Sequence, residues 1–115
     1  MRRVVATGLG TINPLGNSVE SSWNSLISSK SGISKITKFD VESYPCKIAG
    51  SIDDSKINNE IVSLREQRKI DRFITLGLIA ASEAINDSGF VSGNENSFRY
   101  GVMVGSGIGG LDTIY

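Results

Sequence analysis

Apolar and polar residues alternate along this chain with two different periods. Arg3 to Leu9 is a near-continuous run of β-branched and apolar residues that closes on Gly8-Leu9-Gly10. A run of this kind predicts a strand covered on both faces, as in a parallel sheet. Thr11-Ile12-Asn13-Pro14-Leu15-Gly16 reads as a loop from its Pro, Gly and Asn content. Val19, Trp23, Leu26 and Ile27 then recur at i, i+4, i+7 and i+8, the spacing of one helical face. Asn17 stands three residues before Glu20, which is capping-box spacing. The helix is expected to end near Ser28–Gly32, with Gly32 as its stop.

The middle of the chain is less regular. Ile33 to Asp40 alternates weakly, Tyr44-Pro45 interrupts it, and Cys46 to Ile52 has the look of a short edge strand. Asp53 to Asn59 is polar and predicts a surface loop or a single helical turn. Residues 33 to 60 therefore form an excursion from the core. Helical spacing returns at Leu64 and continues to Ser88, opened by a Ser63/Glu66 capping box and closed by Gly89. Ile70, Phe73, Ile74, Gly77, Leu78, Ala81 and Ile85 form one stripe of this helix. Leu76, Ile79, Ala80 and Ala84 widen it until the middle is apolar nearly all round, the pattern of a buried helix. Val91 to Ser97 is a polar loop, and Phe98 to Gly105 is a second strand.

The order is strand, helix, excursion, long buried helix, strand. A right-handed crossover would set the two strands parallel. Two strands cannot cover a helix this apolar. The expectation is an α/β fold that is part of a larger domain or folds against a partner.

Composition narrows the classes. Twelve basic and twelve acidic residues cancel, so bulk charge favours neither a nucleic acid nor a membrane surface. No apolar run approaches the roughly 20 residues that cross a bilayer. The apolar part of the amino end is too short for a signal peptide. One cysteine forms no internal disulfide, which fits a reducing compartment. With no histidine, acid–base chemistry by this chain alone would need a shifted carboxylate, lysine, tyrosine or cysteine. No His, Cys or carboxylate cluster has metal-ligand spacing, and no Ser or Cys has a base beside it.

Two features have chemistry left to explain. Arg65, Arg68, Lys69 and Arg72 fall at i, i+3, i+4 and i+7, one face of a continuous helix. They sit in its first turns, where the macrodipole favours anions. That arrangement points to a negatively charged partner, against the plainer reading of a solvated face. The second feature is Gly105-Ser106-Gly107-Ile108-Gly109-Gly110. Gly105-x-Gly107-x-x-Gly110 has the form of a dinucleotide fingerprint. That pattern alone is weak, and the stretch reads first as a tight strand-to-helix turn and next as a backbone-lined acyl or peptide groove. Cys46 reads as a small buried or half-buried residue, and Trp23, Phe73 and Phe98 read as core.

Several short motifs agree in order and spacing with one family. Arg2-Arg3-Val4-Val5-Ala6-Thr7-Gly8-Leu9-Gly10, Asn13-Pro14-Leu15-Gly16, Ser31-Gly32-Ile33, Phe39-Asp40, Arg65-Glu66-Gln67-Arg68-Lys69-Ile70-Asp71 and Gly105 to Gly110 resemble the amino end of the β-ketoacyl–acyl carrier protein synthases. The resemblance is to the elongating members and covers the whole chain. It implies a thiolase-like fold, of which residues 1–115 would be an incomplete amino-terminal portion. It implies a cytoplasmic homodimer that performs a decarboxylating Claisen condensation in fatty-acid elongation, with no metal or nucleotide. The family's active cysteine and two histidines lie further along than Tyr115, and Cys46 does not match that cysteine. The 115-residue chain alone is therefore expected to be inactive. The resemblance assigns Arg65, Arg68 and Lys69 to docking of acyl carrier protein, and leaves Arg72 unassigned. It places Ile108, with its small neighbours Gly107 and Gly109, at the acyl pocket. A nucleotide-binding α/β domain and a carrier-binding module without catalysis remain the alternatives.

Overall fold

The computed structural model describes residues 2–91, 93 and 98–111. Its longest element is a helix, and the rest of the chain is arranged around it. The first helix, α1, spans Val19–Ile27. Its cap is Ser18 rather than Asn17: the Ser18 hydroxyl accepts from the Ser21 amide, and the Ser21 hydroxyl accepts from the Ser18 amide, both at 3.1 Å. A serine pair thus takes the place of the expected Asn17/Glu20 box. The helix stops at Ser28, and the left-handed residue behind it is Ser29 (φ 54°). Gly32 is not the stop; it lies where a Cβ would press on Pro14.

The excursion folds on itself. Strand β1 (Ile33–Lys35) pairs antiparallel with β2 (Ile48–Gly50), with Ile33 opposite Gly50 and Lys35 opposite Ile48. A single 3-10 turn, Asp54–Lys56, follows, capped by Asp53, whose carboxylate accepts from the Ser55 amide at 3.0 Å.

The predicted helix over residues 64–88 is two helices. Helix α2 is one turn, Leu64–Gln67, opened by the expected Ser63/Glu66 box. Helix α3 runs Arg72–Ser88 and ends at Gly89 in the left-handed conformation (φ 64°), which glycine adopts without a Cβ penalty. Between them Asp71 is extended (ψ 149°) and serves as the N-cap position of α3. Its side chain makes no capping hydrogen bond, so the position reflects the general preference of aspartate for helix ends over helix interiors. The bend also turns Ile70 toward the core, which is Ile57, Val62 and Ile79 with Ile12, Ile70 and Leu76 packed against it.

The two outer strands are corrections. Among the described residues, neither Arg3–Leu9 nor Phe98–Gly105 joins a ladder, and β1–β2 is the one sheet. Residues 8–11 instead lie along α3. A Cβ at Gly8 or Gly10 would overlap the carbonyl oxygens of Ala84 and Ala80, so only glycine permits this approach. The Leu9 amide donates to Asp87 and the Thr11 amide to Glu83, each at 2.9 Å. The apolar pattern supplied strand faces, but a ladder needs neighbours. Without them Val4 and Val102 are each 93% exposed.

The same shortage opens α3. Only Thr75 and Ile79 of that helix are buried, while Phe73, Ile74, Leu78 and Ile85 remain exposed. Trp23 and Phe98 are also exposed rather than core. The radius of gyration is 17.2 Å, against about 13 Å for a compact domain of this length. The predicted loop Val91–Ser97 falls mostly outside the described residues, as does the tail after Leu111.

Candidate functional site

The break at Asp71 redistributes the cationic row. Arg65 lies in the last turn of α2, Arg68 is its C-cap, Lys69 is in the turn that follows, and Arg72 opens α3. They do not share one face of a continuous helix. Nor do they oppose a helix dipole: Arg65, Arg68 and Lys69 gather at the carboxyl end of a short helix, where cations are favoured. Arg72 alone sits at a helix amino end, and it is ion-paired.

That pair is the centre of a clamp. One oxygen of Asp54 takes the Arg72 guanidinium and the other accepts from Lys38 Nζ at 2.9 Å. Arg72 also donates to the Ile52 carbonyl at 3.2 Å. Burial pushes the Asp54 carboxyl up, but the Lys38 and Arg72 bonds outweigh it and hold the group below its ordinary range. The clamp ties the 3-10 turn, the segment before β2 and the start of α3 together. Arg72 is thereby committed to structure.

Arg65, Arg68 and Lys69 have no salt bridge among the described residues. The nearest carboxylate in sequence, Glu66, is engaged by Ser63. The Ser63 hydroxyl and amide both donate to it, at 2.6 and 3.0 Å, and hold its carboxyl below the ordinary value. Lys69 adds to that lowering from nearby, but none of the three cations forms a salt bridge among the described residues, which leaves the bend with a net positive face.

The glycine loop meets the same bend. Gly109 (φ 77°) lies against the Phe73 ring, and a Cβ at Gly110 would overlap the Asp71 carboxylate. The loop is therefore seated on the first turn of α3 and its N-cap position. Gly107 has open space around it, and Ile108 is 72% exposed. Phe98–Gly105, the strand that a dinucleotide loop would follow, is in no ladder among the described residues.

Cys46 is exposed rather than half-buried, its thiol donating to the Ile48 carbonyl at 3.3 Å. Among the described residues no group of three His, Cys, Asp or Glu side chains is placed to hold a metal. None of their helices is long and apolar enough to cross a membrane. Three residues that periodicity did not single out matter to this region: Asp54, Glu83 and Thr75. Asp54 and Glu83 act over separations of 18 and 72 residues, which no local pattern reports. Thr75 is a polar position among the apolar ones of α3, and that was the available signal.

Residues 1–114 match the family described as beta-ketoacyl synthase, N-terminal domain. The chain belongs to the beta-ketoacyl synthase family. The α/β, thiolase-like class of that family is its fold class. The chain is 46% identical over 113 residues to a 3-oxoacyl-[acyl-carrier-protein] synthase 2 of Vibrio harveyi, covering 98% of this chain and 27% of the relative. It is 43% identical over 113 residues to the protein of that name in Vibrio cholerae, with the same coverage. For the protein of that name in Staphylococcus aureus the identity is 38% over 112 residues, or 97% of this chain and 27% of the relative. The chain thus spans about a quarter of the length of these synthases, at their amino-terminal domain.

Proposed function

We propose that this chain is the amino-terminal part of a 3-oxoacyl–acyl carrier protein synthase of fatty-acid elongation. The observation that carries the reading is identity of up to 46% along 98% of the chain. In this reading the whole protein joins an acyl thioester to malonyl carrier with loss of CO₂, as a cytoplasmic homodimer. Arg65, Arg68 and Lys69 receive an acidic face of the carrier protein. Support comes from the absence of a salt bridge to any of them among the described residues and from their clustering on one exposed bend. Gly107, Ile108 and Gly109 line the acyl pocket, with the absent Cβ atoms leaving room for the chain. The segments 3–9 and 98–105 pair in parallel once further strands lie beside them, which also covers α3.

Attack on a thioester needs a nucleophile and donors for the developing oxyanion. Among the described residues the Cys46 thiol bonds to the Ile48 carbonyl and to no base, so this reading takes nucleophile and helpers from residues outside the chain. The experiment is condensation by the full-length gene product with acyl and malonyl carrier, run beside the 115-residue chain. Turnover by the former and none by the latter is expected. Turnover by the 115 residues alone would overturn the reading. Docking is tested by titrating carrier at low and high salt against wild type and Arg68→Glu. Loss of affinity with salt and with the variant is expected, since exposed charges steer association and are screened.

A further inference from the structure

Asp71 stands at the N-cap position of α3, yet its carboxylate does not cap that helix. An aspartate there ordinarily accepts from an amide two or three residues on and satisfies an orphan donor of the first turn. In α3 the backbone alone closes that turn: the Asp71 carbonyl accepts from the Ile74 and Thr75 amides at 3.0 and 3.3 Å. The side chain is turned to the glycine loop instead, where its carboxyl group presses on Gly110. That contact accounts for the glycine. Gly110 has no positive φ, so its backbone would accept a side chain. What a Cβ there would meet is the Asp71 carboxylate.

The loop is anchored at one end. Gly109 and Gly110 are half-buried, whereas residues 105–108 are exposed and Gly105 and Gly107 have open space around them. The anchor itself is fixed on both sides. Ile70 packs against the core, and Arg72 is bound to Asp54 and to the Ile52 carbonyl. A half-buried carboxylate on a fixed backbone thus sets where the carboxyl end of the loop lies, and Ile108 is two residues from that point. A residue that forgoes its local stabilising bond for a contact elsewhere is expected at functional positions. The geometry points to Asp71 as a positioning residue: it tethers Gly110, thereby fixes Ile108, and so limits the length of acyl chain that the pocket admits. The effect on chain length rests on the proposed reading of Ile108; the tether does not.

The test uses the full-length gene product and two readouts: amide exchange across residues 105–111, and the ratio of kcat/KM for long over medium acyl chains. Asp71→Ser removes both carboxylate oxygens and keeps a residue favoured at helix N-caps. It is expected to speed loop exchange about fivefold, within what residues in contact couple by, while the middle of α3 stays protected. The acyl ratio should move toward the longer chain by about as much, because Ile108 is released. Gly110→Ala should do the same, and the double variant should exceed neither single one, since each removes the same contact. Gly89→Ala strains the far end of α3 (φ 64°); it should lower the melting temperature and move neither readout. Loop exchange in Asp71→Ser equal to wild type overturns the tether, as do additive effects in the double variant. An unmoved acyl ratio in a condensing enzyme overturns the control of Ile108. Should Gly110→Ala fail to fold, Asp71→Ser beside Gly89→Ala decides. A wild-type protein that does not condense at all fails the proposed function, and exchange alone then decides the tether.

Discussion

Glu83 is predicted to be worth more than any other single exposed or half-exposed carboxylate of α3. Its Oε2 accepts from the Thr11 amide at 2.9 Å and its Oε1 from the Val19 amide at 2.7 Å. The second of these is an orphan donor in the first turn of α1, so Glu83 acts as a cap supplied from another helix, with its charge at the positive end of the α1 dipole. One side chain therefore fixes the amino-terminal segment and α1 to α3. A bond to a charged group contributes about 1.5 to 3 kcal/mol. Both bonds are part-buried, so the lower figure applies, and Glu83→Ala should cost about 3 kcal/mol. Glu83→Gln keeps one acceptor oxygen, now neutral, and sets an amide N–H against the other donor. It should cost about 2 kcal/mol. With a urea slope of about 1.5 kcal/mol per molar, those losses move the unfolding midpoint down by about 2 M and 1.3 M. Hydrogen exchange localises the effect: both variants should speed exchange at Thr11 and Val19, whereas Asp87→Asn should speed it at Leu9, whose amide it accepts. A Gln variant within about 0.3 kcal/mol of wild type would refute the reasoning, because the error on such energies is of that size.

Further predictions follow from the same contacts. Gly10→Ala places a methyl on the Ala80 carbonyl oxygen, so the amino-terminal segment must leave α3. Exchange protection at Leu9 and Thr11 should fall together, and retained protection would show that the segment can shift without detaching. Ser63→Ala removes the hydroxyl bonds of the α2 box and should cost about 1 kcal/mol, read as a shift in melting temperature. Asp54 has a folded-state pKa below its ordinary 3.8. Its contribution is therefore present above that ordinary value and is lost as pH falls through the lowered folded value. Asp54→Asn should flatten this acid limb of the stability profile. The pairs are half exposed, so the flattening should not exceed about 1 kcal/mol. A variant whose acid limb matches wild type would remove Asp54 from the account.

What the sequence made legible was local. The Ser63/Glu66 box and the Gly89 stop could be read because each is a short-range exchange of backbone bonds for side-chain bonds. The second strand of the excursion falls inside the predicted 46–52 run for the same kind of reason: Pro45 and the polar 53–59 stretch bound it. The break at Asp71 was missed because apolar spacing runs through it unchanged, and only the backbone preference of aspartate argues for an interruption. The consequence was large, since the dipole argument for Arg65, Arg68 and Lys69 depended on one continuous helix. The cations still cluster, but through a bend and not a helix face.

The outer segments mark the opposite limit. Val4, Val5, Val102, Met103 and Val104 carry strand-forming side chains, and all are exposed. Side-chain pattern reports which faces a segment can bury, whereas pairing is a property of two segments. In residues 8–11 the outcome was decided by groups more than 70 positions away: the carboxylates of Glu83 and Asp87 take the amides of Thr11 and Leu9, and the two glycines let the backbone approach α3. Those four contacts are compatible with a strand whose remaining amides face a neighbour, because they occupy only its carboxyl end. Among the described residues, no backbone hydrogen bond engages residues 3–7. On the proposed reading, the exposed apolar surface of α3 and the unpaired segments 3–9 and 98–105 are one deficit and not several, because strands supplied beside these segments would cover all of it at once.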